Sequence, residues 1–213
     1  MSFSPDVAGI IALYLGKHTL LDWIDAEKLY WNCLCTLQNS IELVLTKPDE
    51  MEWYQLSENP TAIDLLTANQ DKIDWRNLSK NPAAIPLLLA NPHLIDWLYL
   101  SMNPAAIDLL RTNPEKIVWE YLCLNPAAID LLTANQDKIN WFRLSSNSAA
   151  MPLLTANPHL IEWDQLSRNP SAMPLLIANP DKIRWGLLSR NPAALQLISD
   201  NLDKIKWWVL SEN

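Results

Sequence analysis

The chain has 213 residues, 49% of them hydrophobic, enough for a packed core and for one or two globular domains. Its net charge of -8 is uneven: residues 1–106 hold 6 Lys/Arg against 13 Asp/Glu, and residues 107–213 hold 10 against 11. A nucleic-acid binder carries a basic face, so this balance argues against one.

In chain order, the first predicted element is a helix opened by Ser4-Pro5-Asp6. The run "VAGIIALYLG" that follows is only ten residues long and has no basic residues before it. It is expected to be neither a signal peptide nor a membrane span, which leaves an intracellular site, host cytoplasm or virion. Cys33, Cys35 and Cys123 form an odd and sparse set that suits a reducing compartment rather than a disulfide framework.

From "DAEKLYW" onward a single spacing dominates. Trp31, Trp53, Trp75, Trp97, Trp119, Trp141, Trp163, Trp185 and Trp207 recur every 22 residues without insertion or deletion. A fixed period of this size signals a solenoid. A half repeat starts at Asp25, a degenerate repeat covers 37–58, and seven full repeats run from Asn59 to Glu212. Counted from its asparagine, each repeat reads N-P-x-A-I-x-L-L-x-A-N-P-x-K-I-x-W-x-x-L-S-x. Asparagine is a strong N-cap and proline is favoured at the first helical position, so both Asn-Pro pairs are expected to open a helix. The prediction is an all-α solenoid of short paired helices, α/α or α/3₁₀. Residues 1–36 would form an N-terminal helical cap plus the half repeat, and 37–213 eight repeats.

Such helices are too short to stand alone and must be held by stacking. Positions 4, 5, 7 and 8 form the expected buried stripe of the first helix, as in Ala84, Ile85, Leu87 and Leu88. Pro86, Pro152 and Pro174 at position 6 would break a helix running from position 2. Asp64, Asp108 and Asp130 share that position, and both residue types suit a first turn, so the regular helix is expected to begin later. Trp53, Trp75, Trp97, Trp119, Trp141, Trp163, Trp185 and Trp207 are read as structural core, because they are retained beside freely varying neighbours.

The phrase "LSKNPAAIPLLLANPHLIDWLYLSMNPAAI" resembles the Asn-Pro/Ile-x-Trp repeats encoded in many copies by giant DNA viruses, over residues 25–213. That resemblance implies a viral source and brings no assigned function. The wording is also similar to leucine-rich variant repeats, which alternate α and 3₁₀ helices and run about two residues longer per repeat. At the N-terminus, "SPDVAGIIALYLGKHTLLDWIDAEKLYWNCL" resembles an F-box in outline, through Pro5, Ile10, Ile11, Leu15, Leu20, Leu21 and Trp31. That likeness implies docking to the Skp-type adaptor of a cullin ubiquitin ligase. A helical cap accounts for the same residues, since solenoid ends need a cover.

No constellation for catalysis emerges. His93 and His159 share position 13 three repeats apart, about 30 Å at ~10 Å per stacked repeat, too far to share a metal. Cys35 and Cys123 occupy position 21, where other repeats carry serine, and are read as small residues at a close contact. Three scattered glycines build no phosphate loop. Neither catalytic residues, cofactor nor metal are expected.

The expectation is a non-enzymatic protein-protein interaction scaffold. An F-box-like substrate adaptor and a structural virion or assembly component are the alternatives. Positions 18, 19 and 22 vary most, and Leu98, Tyr99, Met102, Tyr121 and Leu124 are the expected partner-binding patch. Trp208 joins them through end-to-end self-association of the C-terminal repeat.

Overall fold

The computed structural model describes residues 31–38 and 40–204. The cap or F-box-like segment expected over 1–36 lies outside these residues apart from 31–36, as do Trp207 and Trp208. Among the described residues there is no strand, and short helices follow one another throughout. The chain forms two compact bodies, one up to Ala106 and one from Ile107. Within each body the repeats stack in sequence order, which makes each an all-α solenoid.

Each repeat holds four pieces where the sequence predicts two. In the repeat 81–102 they are a 3₁₀ turn at Pro82–Ala84, an α-helix at Ile85–Ala90, a second turn at Pro92–Leu94 and an α-helix at Trp97–Met102. The first turn runs directly into its helix. The second does not: Ile95 (φ -66°, ψ 123°) and Asp96 (φ -85°, ψ 102°) are extended, and the helix restarts at the tryptophan. We call the two α-helices the isoleucine helix and the tryptophan helix.

The late helix start explains the prolines at position 6. Pro86, Pro152 and Pro174 fall in the first turns of the helices Ile85–Ala90, Met151–Ala156 and Met173–Ala178, where a missing N–H leaves no bond unmade. Asp64, Asp108 and Asp130 occupy the same first turn, where the helix dipole favours a carboxylate. No described residue has a positive φ, so the chain turns without the left-handed conformation that glycine supplies.

The core is narrower than the expected stripe. Ala at position 4 and Leu at position 20 are wholly buried in every described repeat from 59 on, for example Ala84 and Leu78 at 0%. Leu at position 8 is equally enclosed from Leu66 to Leu176. Position 5 is only half-buried, as Ile63, Ile85 and Ile129 show. Each enclosed leucine contributes about 1.5–3 kcal/mol relative to an exposed one.

The tryptophans depart further from expectation. Trp31 is buried, and Trp53, Trp75, Trp97, Trp119, Trp141, Trp163 and Trp185 are half-buried rather than enclosed. The leucine three residues on, not the indole, fills the closed slot. At Trp53, Trp119 and Trp185 the lysine at position 14 of the following repeat lies over the ring, whereas after Trp75 and Trp141 that position holds Leu94 and Leu160. Lys72 Nζ sits 4.8 Å from the Trp53 centroid, Lys138 4.4 Å from Trp119, and Lys204 4.9 Å from Trp185. A cation over an indole face contributes about 0.5–1 kcal/mol at an exposed site.

Candidate functional site

Polar groups inside the stack determine which surfaces are free. The asparagine at position 1 is buried and makes three bonds. Asn81 Oδ1 accepts from Ala83 N at 3.0 Å, which caps the turn that follows it. Its Nδ2 donates to Ser57 O at 3.1 Å and Asn59 O at 2.9 Å, 24 and 22 residues earlier in the chain. Asn59 and Asn103 repeat this in the first body, and Asn147, Asn169 and Asn191 in the second.

A second row runs through position 21. Ser57 Oγ donates to Trp53 O at 2.7 Å and accepts from Asp74 N of the next repeat at 3.0 Å. Ser79, Ser145 and Ser167 receive the same N–H from Asp96, Glu162 and Arg184. Cys123 stands in this row and its Sγ accepts from Asn140 N at 3.3 Å. Burial pushes the Cys35 and Cys123 thiols above their ordinary value, which keeps both protonated and poor as nucleophiles.

The asparagine at position 11 behaves differently from its expected role. It makes no side-chain cap to the turn it precedes. Asn179 Nδ2 reaches back to Leu175 O at 2.8 Å and closes the end of the isoleucine helix. Three tryptophan helices take a cap from position 16 instead, through Asp74, Asp96 and Asn140; Asp96 Oδ1 accepts from Leu98 N at 3.0 Å and Tyr99 N at 3.2 Å.

With the frame satisfied internally, two faces of each body remain open. The first is the outer face of the tryptophan helices. In the first body Leu98, Tyr99 and Met102 are half-buried. The Tyr99 ring is no bare apolar surface: Arg76 and Lys80 stack on it at 4.6 Å and 4.7 Å. Tyr54 on this face is 50% exposed. In the second body Tyr121 and Leu124 are also half-buried, and Arg143 lies 4.7 Å over the Tyr121 ring while pairing with Glu120 at 2.8 Å. Phe142, 52% exposed, is the aromatic most open to solvent there.

The second face lies along the isoleucine helices, and none of the contact residues expected from the sequence belongs to it. In the second body a shallow groove of about 240 Å³ runs between two neighbouring repeats. Ile129, Thr133 and Gln136 form one side, and Pro152, Leu153, Ala156 and Asn157 the other. It carries no charge. A signal for it lies at position 6, which holds aspartate or proline from Asp64 to Pro174. Where proline replaces aspartate, the run from Asn147 to Ile161 is left uncharged.

Among the described residues no three His, Cys, Asp or Glu side chains form a group that could hold a metal ion. No helix of the described residues is long and apolar enough to cross a membrane. Comparison with protein-family models, with curated proteins and with solved structures finds no match to the chain.

Proposed function

We propose that the chain is a non-enzymatic protein-protein interaction scaffold. One observation carries this reading. The bonds that recur between repeats use positions 1 and 21, and the closed core uses positions 4, 8 and 20. Positions 18, 19 and 22 belong to neither; the contacts they make between repeats, such as Arg143 with Glu120 or Arg76 and Lys80 on Tyr99, are particular to those repeats, so their side chains differ while the frame stays constant. They do differ: position 18 reads Tyr54, Arg76 and Leu98 in the first body, then Glu120, Phe142, Asp164 and Gly186 in the second. A constant frame that displays varied side chains is how repeat proteins recognise partners.

The half-buried aromatics engaged by cations are the points of contact in this reading. Tyr99 with Arg76 and Lys80 serves the first body, and Tyr121 with Arg143 the second. Tyrosine and arginine are the residue types that dominate binding energy at protein interfaces. The test is affinity capture from cell extract with the intact chain and with Tyr99→Ala and Tyr121→Ala made separately. The expected result is a protein held by the parent chain and lost from one variant that melts within a few degrees of it. Identical captures by all three chains would remove the support.

A further inference from the structure

The groove of the second body occurs twice in the sequence. Each of its seven lining residues has an identical counterpart three repeats earlier, in the first body, from Ile63 to Asn91. The local structure is shared as well. Thr67 and Thr133 both donate to the carbonyl four residues back at 2.8 Å, and Gln70 and Gln136 both reach a threonine carbonyl at 3.4 Å. Leu87 and Leu153 form equivalent buried floors at 8% and 6% exposure.

At three of the seven positions the frame does not require this identity. Position 9 holds Arg111 in another repeat, position 12 holds Pro114, and position 6 holds Asp64, Asp108 or Asp130. A simple duplication would preserve both faces of the repeats equally. The opposite face of the same two repeat pairs has diverged completely. Arg76, Asn77 and Lys80 face Phe142, Arg143 and Ser146 in the alignment, and Leu98, Tyr99 and Met102 face Asp164, Gln165 and Arg168. Within one chain, therefore, the groove lining is identical in both copies, although exposed Leu89 near it aligns with Thr155, while positions 18, 19 and 22 differ at every compared site.

We infer that the two grooves are equivalent binding sites for the same short peptide segment, an aliphatic side chain followed closely by a lysine or arginine. The inference rests on reading the chain as an interaction scaffold. The size and lining choose the occupant. A volume of about 240 Å³ is below the ~300–1,000 Å³ of small-molecule pockets and fits one or two side chains. The lining is apolar and uncharged. The charge beside it is negative in both copies, because Asp71 and Asp137 adjoin Gln70 and Gln136 with exposed carboxylates. The neighbouring Lys72 and Lys138 are turned onto Trp53 and Trp119. An aliphatic residue with a cation beside it complements that arrangement.

The test is selection of random twelve-residue peptides displayed on phage against the full chain, then calorimetry of the selected peptide. Two peptides are expected to bind each chain with one affinity. The disabling substitution comes from the protein's own repeats and leaves the frame intact: Thr133→Arg after Arg111. It weakens its groove about tenfold or more and lowers the stoichiometry from two to one. Thr67→Arg with Thr133→Arg abolishes binding, and Asp71→Asn with Asp137→Asn weakens it about two- to fivefold. One peptide per chain, or binding untouched by the groove variants, overturns the inference. If Tyr99→Ala or Tyr121→Ala abolishes binding instead, the scaffold reading stands and the grooves are excluded. If no peptide is selected, the groove inference fails, and the scaffold reading is decided by the capture experiment.

Discussion

Asn169 and Asn179 are each followed by proline, and the sequence treats them alike. Their side chains do opposite work. Asn169, 2% exposed, accepts from Ser171 N and donates to Ser145 O and Asn147 O, 24 and 22 residues back. Asn179 donates to Leu175 O within its own repeat. The difference lies in the backbone, which is at φ -79°, ψ 116° for Asn169 and φ -134°, ψ 65° for Asn179. No local pattern announces it, because the acceptors of Asn169 are brought near only by stacking. Replacing each by aspartate keeps the shape and removes the donors. Asn169→Asp is expected to cost about 2–4 kcal/mol, since two buried bonds between repeats are lost and a carboxylate is enclosed in their place, and Asn179→Asp about 1 kcal/mol. Urea unfolding midpoints of the two variants check the order, and equal losses would refute the ladder's special weight.

The two buried thiols allow a second measurement at this scale. Burial raises the folded-state value of Cys35 and Cys123, so the folded chain holds its protons more tightly than the unfolded one. Their contribution to stability is whole below about pH 8.5 and is lost as the pH rises from there toward the folded-state value. Cys35→Ser with Cys123→Ser installs the residue used in this row elsewhere. The doubly substituted chain is expected to lose less stability than the parent between pH 8 and 10 in thermal melts.

At the scale of the element, the sequence reveals the helices and misplaces one of them. The proline at position 6 forces a late start for the isoleucine helix, and the structure puts that start at position 5. The tryptophan helix is harder to place. The segment 183–184 has no glycine or proline to mark a break, yet Ile183 is extended at φ -63°, ψ 127°. Extension there lets Arg184 N reach Ser167 Oγ in the repeat before, a bond that no reading of one repeat contains. Gly186 in the helix Trp185–Leu188 is the odd residue at this scale. A Cβ added there would meet nothing within 4 Å, so the fold has no steric need for glycine. Gly186→Ala is expected to stabilise the chain by about 0.5–1 kcal/mol in chemical denaturation. A loss would show that the glycine has a structural role.

At the scale of the molecule, the period of 22 is itself a bonding requirement. Each position-1 amide meets carbonyls 22 and 24 residues earlier, as Asn147 does at Asn125 and Cys123. Deleting residues 147–168 removes one whole repeat and returns Asn169 to the same acceptors. That chain is expected to keep a cooperative melt and its helical circular dichroism per residue, because repeat stability is a sum of units and nearest-neighbour interfaces. Deleting 147–167 shifts every later asparagine by one residue and is expected to unfold the stack beyond it. The regular spacing makes this architecture legible in the residues alone. The faces are less legible, because exposure depends on what the neighbouring repeat covers. Tyr99 reads as apolar surface, yet Arg76 and Lys80 lie over it, and the groove at Pro152 needs two repeats side by side to exist.

The asparagine ladder also has a direction. The amides of Asn59, Asn81, Asn103, Asn147, Asn169 and Asn191 all donate toward the N-terminus, to carbonyls that were translated first. A repeat leaving the ribosome therefore carries its own donors to acceptors already waiting in folded chain. Its position-1 bonds need nothing from residues still to be made, whereas its position-21 serine waits for an N–H of the next repeat. The array can consolidate in the order of its synthesis, one rung at a time.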